Sequence, residues 1–179
     1  MNFTLTQKER TLLEDQKAHE NICIKKYNNY ASQTQCPELK QMFQTYAQQE
    51  QQHLDTINQM LNGQVPNMQQ NQQQQGQQQQ GQQQQQGQQQ KQQQKQQMQQ
   101  QQQQGQQQQG TGMTNSSDAD LCNDMLMTEK YVSDTYDTAI FEFVDPNARQ
   151  ALNHIQKEEQ QHGEGIFNYM QKNGMYQVQ

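Results

Sequence analysis

The sequence predicts an all-α protein, a four-helix bundle built from two duplicated helical hairpins. Three observations predict it. Apolar residues recur at steps of three and four on both sides of a Gln-rich tract, start and stop signals delimit four helices, and the two flanks match each other at a constant shift. Each flank spans about sixty residues, which is small for an independent core, so each hairpin needs a partner.

The first hairpin is predicted over residues 1–63 and contains two helices. Thr6 and Glu9 have the spacing of a capping box, which opens the first helix. After a short turn, Pro37 suits the first position of the second helix, where a missing N–H does no harm. The pair Asn62-Gly63 is typical of a C-terminal cap and ends that helix.

The second hairpin is predicted over residues 118–179 and repeats this plan. Ser117 and Asp120 form a weaker capping box at the start of the third helix. Asp145-Pro146 supplies an N-cap and a first-turn proline for the fourth helix, which ends at Asn173-Gly174. Short connections within each hairpin indicate antiparallel neighbours.

The Gln-rich tract over residues 64–117 is predicted to be a disordered linker. It holds almost no apolar residues, so nothing offsets the entropy cost of ordering it. A flexible chain of about 50 residues has an end-to-end distance of roughly 40 Å. This matches the length of a helix of about 25 residues, so the tract can connect opposite ends of a bundle. Gln tracts also associate through amide ladders, which makes self-association through this segment a hypothesis.

A constant shift of 109 positions carries the first flank onto the second. The matched pairs include Glu20 and Glu129, Tyr27 and Tyr136, Pro37 and Pro146, Glu50 and Glu159, and His53 and His162. No gap is needed across roughly fifty residues, so the flanks are copies of one hairpin.

Two Glu-x-x-His motifs indicate a metal centre inside the bundle. A Glu and a His three residues apart leave one face of a helix, and here both occupy consecutive positions of the apolar stripe. A buried carboxylate is costly unless it is paired or bound to a metal. Four carboxylates and two imidazoles from facing helices are the ligand set of a dinuclear iron or manganese site. The predicted ligands are Glu20, Glu50, His53, Glu129, Glu159 and His162. Two alternatives remain: a metal-free bundle in which the buried Glu and His residues pair with each other, and a different helix register that leaves these residues in solvent.

Other polar residues near these motifs receive separate predictions. Tyr27 and Tyr136 each follow a predicted ligand Glu by seven residues, so their hydroxyl groups are expected to contact the ligands. Glu158 flanks the second motif and is expected to be solvated, and His154 lies off the stripe and is expected at the surface.

Composition and charge exclude several classes of function. A formal net charge of −6 without basic clusters argues against nucleic acid or an anionic membrane as the main partner. No apolar run approaches the roughly 20 residues of a membrane span, and the polar N-terminus does not resemble a secretory signal. Cys23, Cys36 and Cys122 lack metal-type spacing and are expected to be core thiols, with Cys36 the most reactive because it lies in a turn.

Several segments carry a resemblance to a known family. They are Met127–Tyr136, Phe141–Phe143, Pro146–Gln150, Lys157–Gly163 and Ile166–Met170. Together they resemble the coat F domain of spore coat proteins from endospore-forming bacteria, a branch of the ferritin-like fold. In the first flank, Gln48–Leu54 looks like the companion hairpin of the same family. The family's link between hairpins is usually shorter, so pairing within one chain and exchange between chains both stay open.

The resemblance implies a structural component of the spore coat, made in the mother-cell cytoplasm and assembled with other coat proteins. The resemblance does not decide whether metal is bound; the prediction that the bundle binds two metal ions rests on the residues, and such a protein need not be an enzyme. The alternative function is that of a di-iron or di-manganese oxidoreductase, which consumes peroxide or oxidises ferrous iron. The duplicated ligand set supports that alternative.

Overall fold

The computed structural model describes residues 4–64 and 116–176. They form four helices, α1 (Gln7–Gln33), α2 (Pro37–Leu61), α3 (Ser116–Glu142) and α4 (Pro146–Lys172), and these two ranges contain no strand. The prediction of an all-α four-helix bundle is therefore confirmed. Of the predicted Gln-rich linker over residues 64–117, residues 65–115 lie outside the described ranges, whereas Gln64 follows α2 and Ser116 and Ser117 belong to α3.

Three of the four helices begin or end at the expected local signals. At α1 the Thr6 side chain accepts the N–H of Glu9 at 3.2 Å, while the Glu9 carboxylate accepts the N–H of Thr6 at 2.7 Å. At α4 the Asp145 side chain accepts two first-turn N–H groups. Gly63 and Gly174 follow α2 and α4 with φ of 76° and 68°, a left-handed conformation that favours glycine.

The start of α3 differs from the prediction. This helix begins at Ser116, so Ser117 lies inside the helix and is not its N-cap. Asp118 is the acidic residue of the first turn. The prediction was wrong here because Asn115, Ser116, Ser117 and Asp118 are all residue types that cap helices, and such a run does not select one position.

Contacts between the hairpins show that α1 runs antiparallel to α3. The N–H of Val144 donates to the Glu9 carboxylate at 2.9 Å, which places the start of α1 near the end of α3. At the other end of α1, Lys26 Nζ lies 2.6 Å from the carboxylate of Asp124 near the start of α3. Two antiparallel hairpins therefore pack side by side, as the internal repeat requires.

Helices α2 and α4 are antiparallel as well. Lys172 at the end of α4 donates to Glu38 at the start of α2 over 2.8 Å. Consequently Gln64 after α2 and Ser116 at the start of α3 lie at opposite ends of the bundle. The connection between them has to cross a distance of about 40 Å, the length of one of these helices.

An apolar layer fills one end of the bundle, where α1 ends and α2 begins. All four helices contribute to it, and its buried residues are Tyr27, Ala31, Leu39, Phe43, Ala47, Leu121, Cys122, Met125, Ile166, Tyr169 and Met170. Cys23 and Cys122 are buried free thiols, as expected, and Cys36 is half-buried. None of the four described helices combines the length and the apolar composition of a membrane span.

Candidate metal centre

The six predicted ligands meet halfway along the helices, next to the apolar layer. None of them is more than 2% exposed. They form two overlapping groups, in which one ligand atom from each residue lies within 4.8 Å of the others. The groups are Glu20, Glu50, His53 and Glu159, and Glu50, Glu129, Glu159 and His162. Glu50 and Glu159 belong to both groups, so the cluster is a single polar layer with two halves.

Both imidazoles direct Nδ1 into this polar layer. His53 Nδ1 lies 2.9 Å from Glu159 Oε1 and 3.4 Å from Glu50 Oε2. His162 Nδ1 lies 2.8 Å from Glu50 Oε1 and 3.8 Å from Glu129 Oε2. The two rings stack with centroids 5.8 Å apart and planes 20° apart. The Nδ1 atoms are therefore the nitrogen ligands that the layer offers.

The outer nitrogen of each imidazole has a partner on the opposite hairpin. His53 Nε2 lies 2.9 Å from Glu158 Oε2, and His162 Nε2 lies 3.0 Å from Gln49 Oε1. The expectation that Glu158 is solvated was wrong, since its side chain is 13% exposed. His154 is half-buried and lies 3.4 Å from the same Glu158 oxygen, so it is not simply a surface residue.

One signal in the sequence points to these outer partners. The shift of 109 positions carries Gln49 onto Glu158, and each directly precedes a predicted ligand Glu. A long polar side chain at the same place in both copies indicates a shared contact. Periodicity alone missed it, because both residues lie off the apolar stripe.

Tyr27 and Tyr136 reach across the bundle to predicted ligands of the other hairpin. The Tyr27 hydroxyl donates to Glu129, and the Tyr136 hydroxyl donates to Glu20. The prediction that they contact the ligands is thereby confirmed. Burial and the adjacent carboxylates raise the pKa of both tyrosines well above the ordinary value, so both hydroxyls keep the proton that they donate.

Polar atoms without a hydrogen-bond partner concentrate in the polar layer. Among the described residues, seven buried side-chain atoms have no partner, and six of them belong to the predicted ligands. These six are Glu20 Oε2, Glu50 Oε2, His53 Nδ1, Glu129 Oε2 and both carboxylate oxygens of Glu159. His53 Nδ1 is among them despite its 2.9 Å distance to Glu159, because that contact lacks the direction of a hydrogen bond.

The donor set fits metal ions. Native proteins rarely leave buried polar atoms unpaired, and each such atom needs an explanation. Two divalent cations would neutralise four carboxylates and supply partners for all six atoms. The cluster can therefore hold metal ions.

Without ions the polar layer retains protons instead. Burial raises the pKa of Glu20 to about 8, and burial together with the charge of Glu50 raises that of Glu159 well above its ordinary value. For His162, burial opposes protonation, but hydrogen bonds to nearby carboxylates outweigh it and raise the pKa to about 9. The pKa of His53 is raised in the same way. Metal ions must displace these protons in order to bind.

Four antiparallel helices, each with a central Glu and two of them with Glu-x-x-His, define the ferritin-like class of protein. Two family models match the chain, Rubrerythrin over residues 12–104 and the Coat F domain over residues 117–179. The chain therefore belongs to the rubrerythrin-related, ferritin-like proteins with a coat F domain. The first match extends beyond α2 into residues that the structure does not describe. No curated protein and no solved structure matches the chain.

Proposed function

We propose that this protein is a structural component of the spore coat whose bundle binds two divalent ions, either iron or manganese. The coat F match supports the location. In this proposal the protein is made in the mother-cell cytoplasm and assembles with other coat proteins. The observation that carries the metal part is the fully buried cluster, with its six unpartnered ligand atoms.

The residues of the cluster divide naturally between two ions. Glu50 and Glu159 belong to both groups and would help to hold both ions. Glu20 and His53 would complete one position, which we call the His53 position. Glu129 and His162 would complete the other, the His162 position.

Each position takes three ligands from one hairpin and one from the other. Bound ions would therefore fasten the two hairpins together across the polar layer. Since binding to the folded state alone shifts the folding equilibrium, this arrangement stabilises the bundle. A protein with a structural role in the coat benefits from such a fastening.

Residues around the ligands would hold them in position. Gln49 and Glu158 each accept a hydrogen bond from an Nε2–H, which leaves Nδ1 as the metal-binding nitrogen. Tyr27 donates a hydrogen bond to Glu129, and Tyr136 donates one to Glu20. Each hydrogen bond restricts the rotation of the carboxylate that accepts it. When bound, iron or manganese ions supply redox chemistry toward small oxidants.

A second candidate function follows from that chemistry. A carboxylate-rich site with only two nitrogen ligands, shielded from water by the bundle, also suits an oxidoreductase that consumes peroxide or oxidises ferrous iron. The buried cluster favours this candidate, and the two functions are compatible. Peroxide consumption by the metal-loaded protein, compared with the same protein after chelation, distinguishes a working enzyme from a purely structural metal site.

Elemental analysis of protein produced in metal-supplemented medium tests the metal site. We expect about two ions per chain in the parent protein and far fewer in Glu159→Ala/His162→Ala. Gln160→Ala/Gln161→Ala is the matched control, because both glutamines are exposed in the same turn of α4. Absence of metal from the parent would leave the alternative of a metal-free bundle.

Extraction of spore coats tests the structural role. We propose that the Gln-rich tract over residues 64–117 links the two hairpins and mediates contacts between coat subunits, including self-association. Replacement of residues 65–115 by a Gly/Ser segment of equal length, which can still connect the two ends of the bundle, should release the protein from the coat at lower denaturant than the parent requires. Unchanged extraction would contradict a role of the tract in these contacts. Absence of the protein from the coat fraction would contradict the location.

A further inference from the structure

The two halves of the polar layer differ in the group that holds the outer nitrogen of the imidazole. At His162 that group is the neutral side-chain amide of Gln49, at 3.0 Å. At His53 it is the carboxylate of Glu158, at 2.9 Å. The internal repeat places Gln49 and Glu158 at equivalent positions, so an amide in one copy is replaced by a carboxylate in the other.

A carboxylate and an amide have different effects on a metal-binding imidazole. A carboxylate that accepts the Nε2–H draws the proton toward itself and makes Nδ1 a stronger donor. It also adds a negative charge beside one of the two metal positions, which an amide does not. His154, at 3.4 Å from the Glu158 oxygen, is a second histidine on the same carboxylate and helps to fix its position.

We infer that the two metal positions are unequal, and that the His53 position binds a divalent ion more tightly and fills first. This inference rests on the proposed metal-binding function. Glu158 is a positioning residue, because it acts through His53 and is not part of the ligand cluster itself. Gln49 plays the same part at His162 without the charge.

The two halves also differ at Tyr46, which contacts the ring face of an imidazole and not its nitrogen atoms. The Tyr46 ring stacks on His162 with centroids 4.3 Å apart, and the repeat puts Ile155 in place of Tyr46 in the other copy. Tyr46 covers the face of the His162 ring, whereas Gln49 contacts Nε2 of His162 and Glu158 contacts Nε2 of His53. Exchanging only Gln49 and Glu158 therefore separates the effect of the carboxylate from that of Tyr46.

Calorimetric titration of the metal-free, full-length protein with Co²⁺ tests this inference. We expect two binding steps with affinities that differ at least tenfold. Glu158→Gln should weaken the tighter step by about 10- to 100-fold and leave the other step unchanged. Gln49→Glu should strengthen the weaker step, and the exchange variant Gln49→Glu/Glu158→Gln should again show two unequal steps.

Proton NMR with one equivalent of Co²⁺ identifies the position that fills first. A bound Co²⁺ shifts the Nε2–H signal of its own imidazole, and His53→Ala and His162→Ala assign the two signals. We expect the His53 signal to shift in the parent and the His162 signal to shift in the exchange variant. A merely structural role of Glu158 would not reverse this order.

The outcomes separate this inference from the proposed function. Two equal steps in the parent, or an unchanged tighter step in a folded Glu158→Gln variant, would overturn the inference and leave a metal-binding bundle. A parent protein that binds no Co²⁺ would overturn both. Circular dichroism of each variant establishes that the bundle is folded.

Discussion

The apolar layer and the polar layer are neighbours in the same bundle, yet they affect stability in opposite ways. Burial of Phe43 and its neighbours stabilises the folded state, by about 25 cal/mol for each Å² of apolar surface removed from water. The six predicted ligands lose hydration, and five of them are left with unpartnered atoms. Tyr27 joins the layers, since its ring packs against Phe43 with centroids 5.7 Å apart and its hydroxyl donates to Glu129.

The two layers therefore have different roles: the apolar layer stabilises the fold, and the polar layer forms the candidate site. The apolar layer stabilises the bundle with no ligand present, whereas the polar layer needs protons or metal ions to offset its cost. Substitutions in the apolar layer should therefore change stability whether or not metal is added. The effect of substitutions in the polar layer on stability should depend on the presence of metal and on pH.

The largest effect is expected in the apolar layer. Phe43 is fully buried, so Phe43→Ala should lower the free energy of unfolding by about 3–5 kcal/mol, the usual cost of such a cavity. Urea denaturation of the metal-free protein measures it. Gln44→Ala, on the exposed side of α2, is the control and should stay within about 0.5 kcal/mol of the parent. Equal losses in the two variants would contradict the layer assignment.

Metal binding to the polar layer should increase the stability of the bundle. Co²⁺ at 100 times its dissociation constant should raise the free energy of unfolding by about 2.7 kcal/mol for each site. A chelator should reverse the gain, and Glu159→Ala/His162→Ala should not show it. If the layers act independently, Phe43→Ala should retain the same metal-dependent gain, and thermal denaturation with and without Co²⁺ checks this.

Gly165→Ala should disturb the contact between Tyr46 and His162. A Cβ at Gly165 would fall well inside contact distance of the Tyr46 hydroxyl oxygen, and Tyr46 is held by its stacking on His162. We expect a loss of about 1–3 kcal/mol, typical of overpacking. Tyr46→Phe removes the clashing oxygen, so the double variant should recover most of this loss. A double variant as unstable as Gly165→Ala would show that the clash is not the cause.

The affinity for Co²⁺ should rise with pH. Glu20 and His162 have raised pKa values of about 8 and about 9, so at neutral pH both carry protons that an ion must displace. Each proton released makes binding up to tenfold tighter per pH unit, about 1.4 kcal/mol, until the pH passes these pKa values. Titrations at pH 6, 7 and 8 measure the slope. A pH-independent affinity would mean that the layer holds no such protons.

The smallest effect is expected where α1 begins. Burial opposes ionisation of Glu9, but hydrogen bonds from Val144 and Thr6 outweigh it and lower its pKa. Because the folded pKa lies below the ordinary 4.5, this stabilisation is present above that pH and is lost as the pH falls further. Glu9→Gln should therefore cost about 1 kcal/mol at pH 7 and less at pH 3. Urea denaturation at both pH values measures the difference, and an equal cost at both would contradict it.

Much of the fold follows from local signals in the chain. The Thr6 capping box, Pro37, and the Asn62-Gly63 and Asn173-Gly174 pairs place helix ends correctly, because each acts within one turn of its own helix. Only the start of α3 was misplaced, in a run of residues that all suit a cap. Periodicity also identified the six predicted ligands as inward-facing, since the direction of a side chain from a helix depends on position alone.

The hydrogen-bond partners of side chains that reach from one hairpin to the other could be identified only from the tertiary structure. The sequence could not tell that Tyr27 donates to Glu129 of the other hairpin, or that Glu158 reaches His53. Nor could it tell that Glu9 accepts the N–H of Val144. By itself the sequence determined four helices, their inward faces and a duplicated set of candidate ligands, because these depend on neighbours three or four residues away. The tertiary structure decided which atoms meet, because that depends on how two hairpins pack and how far long side chains reach.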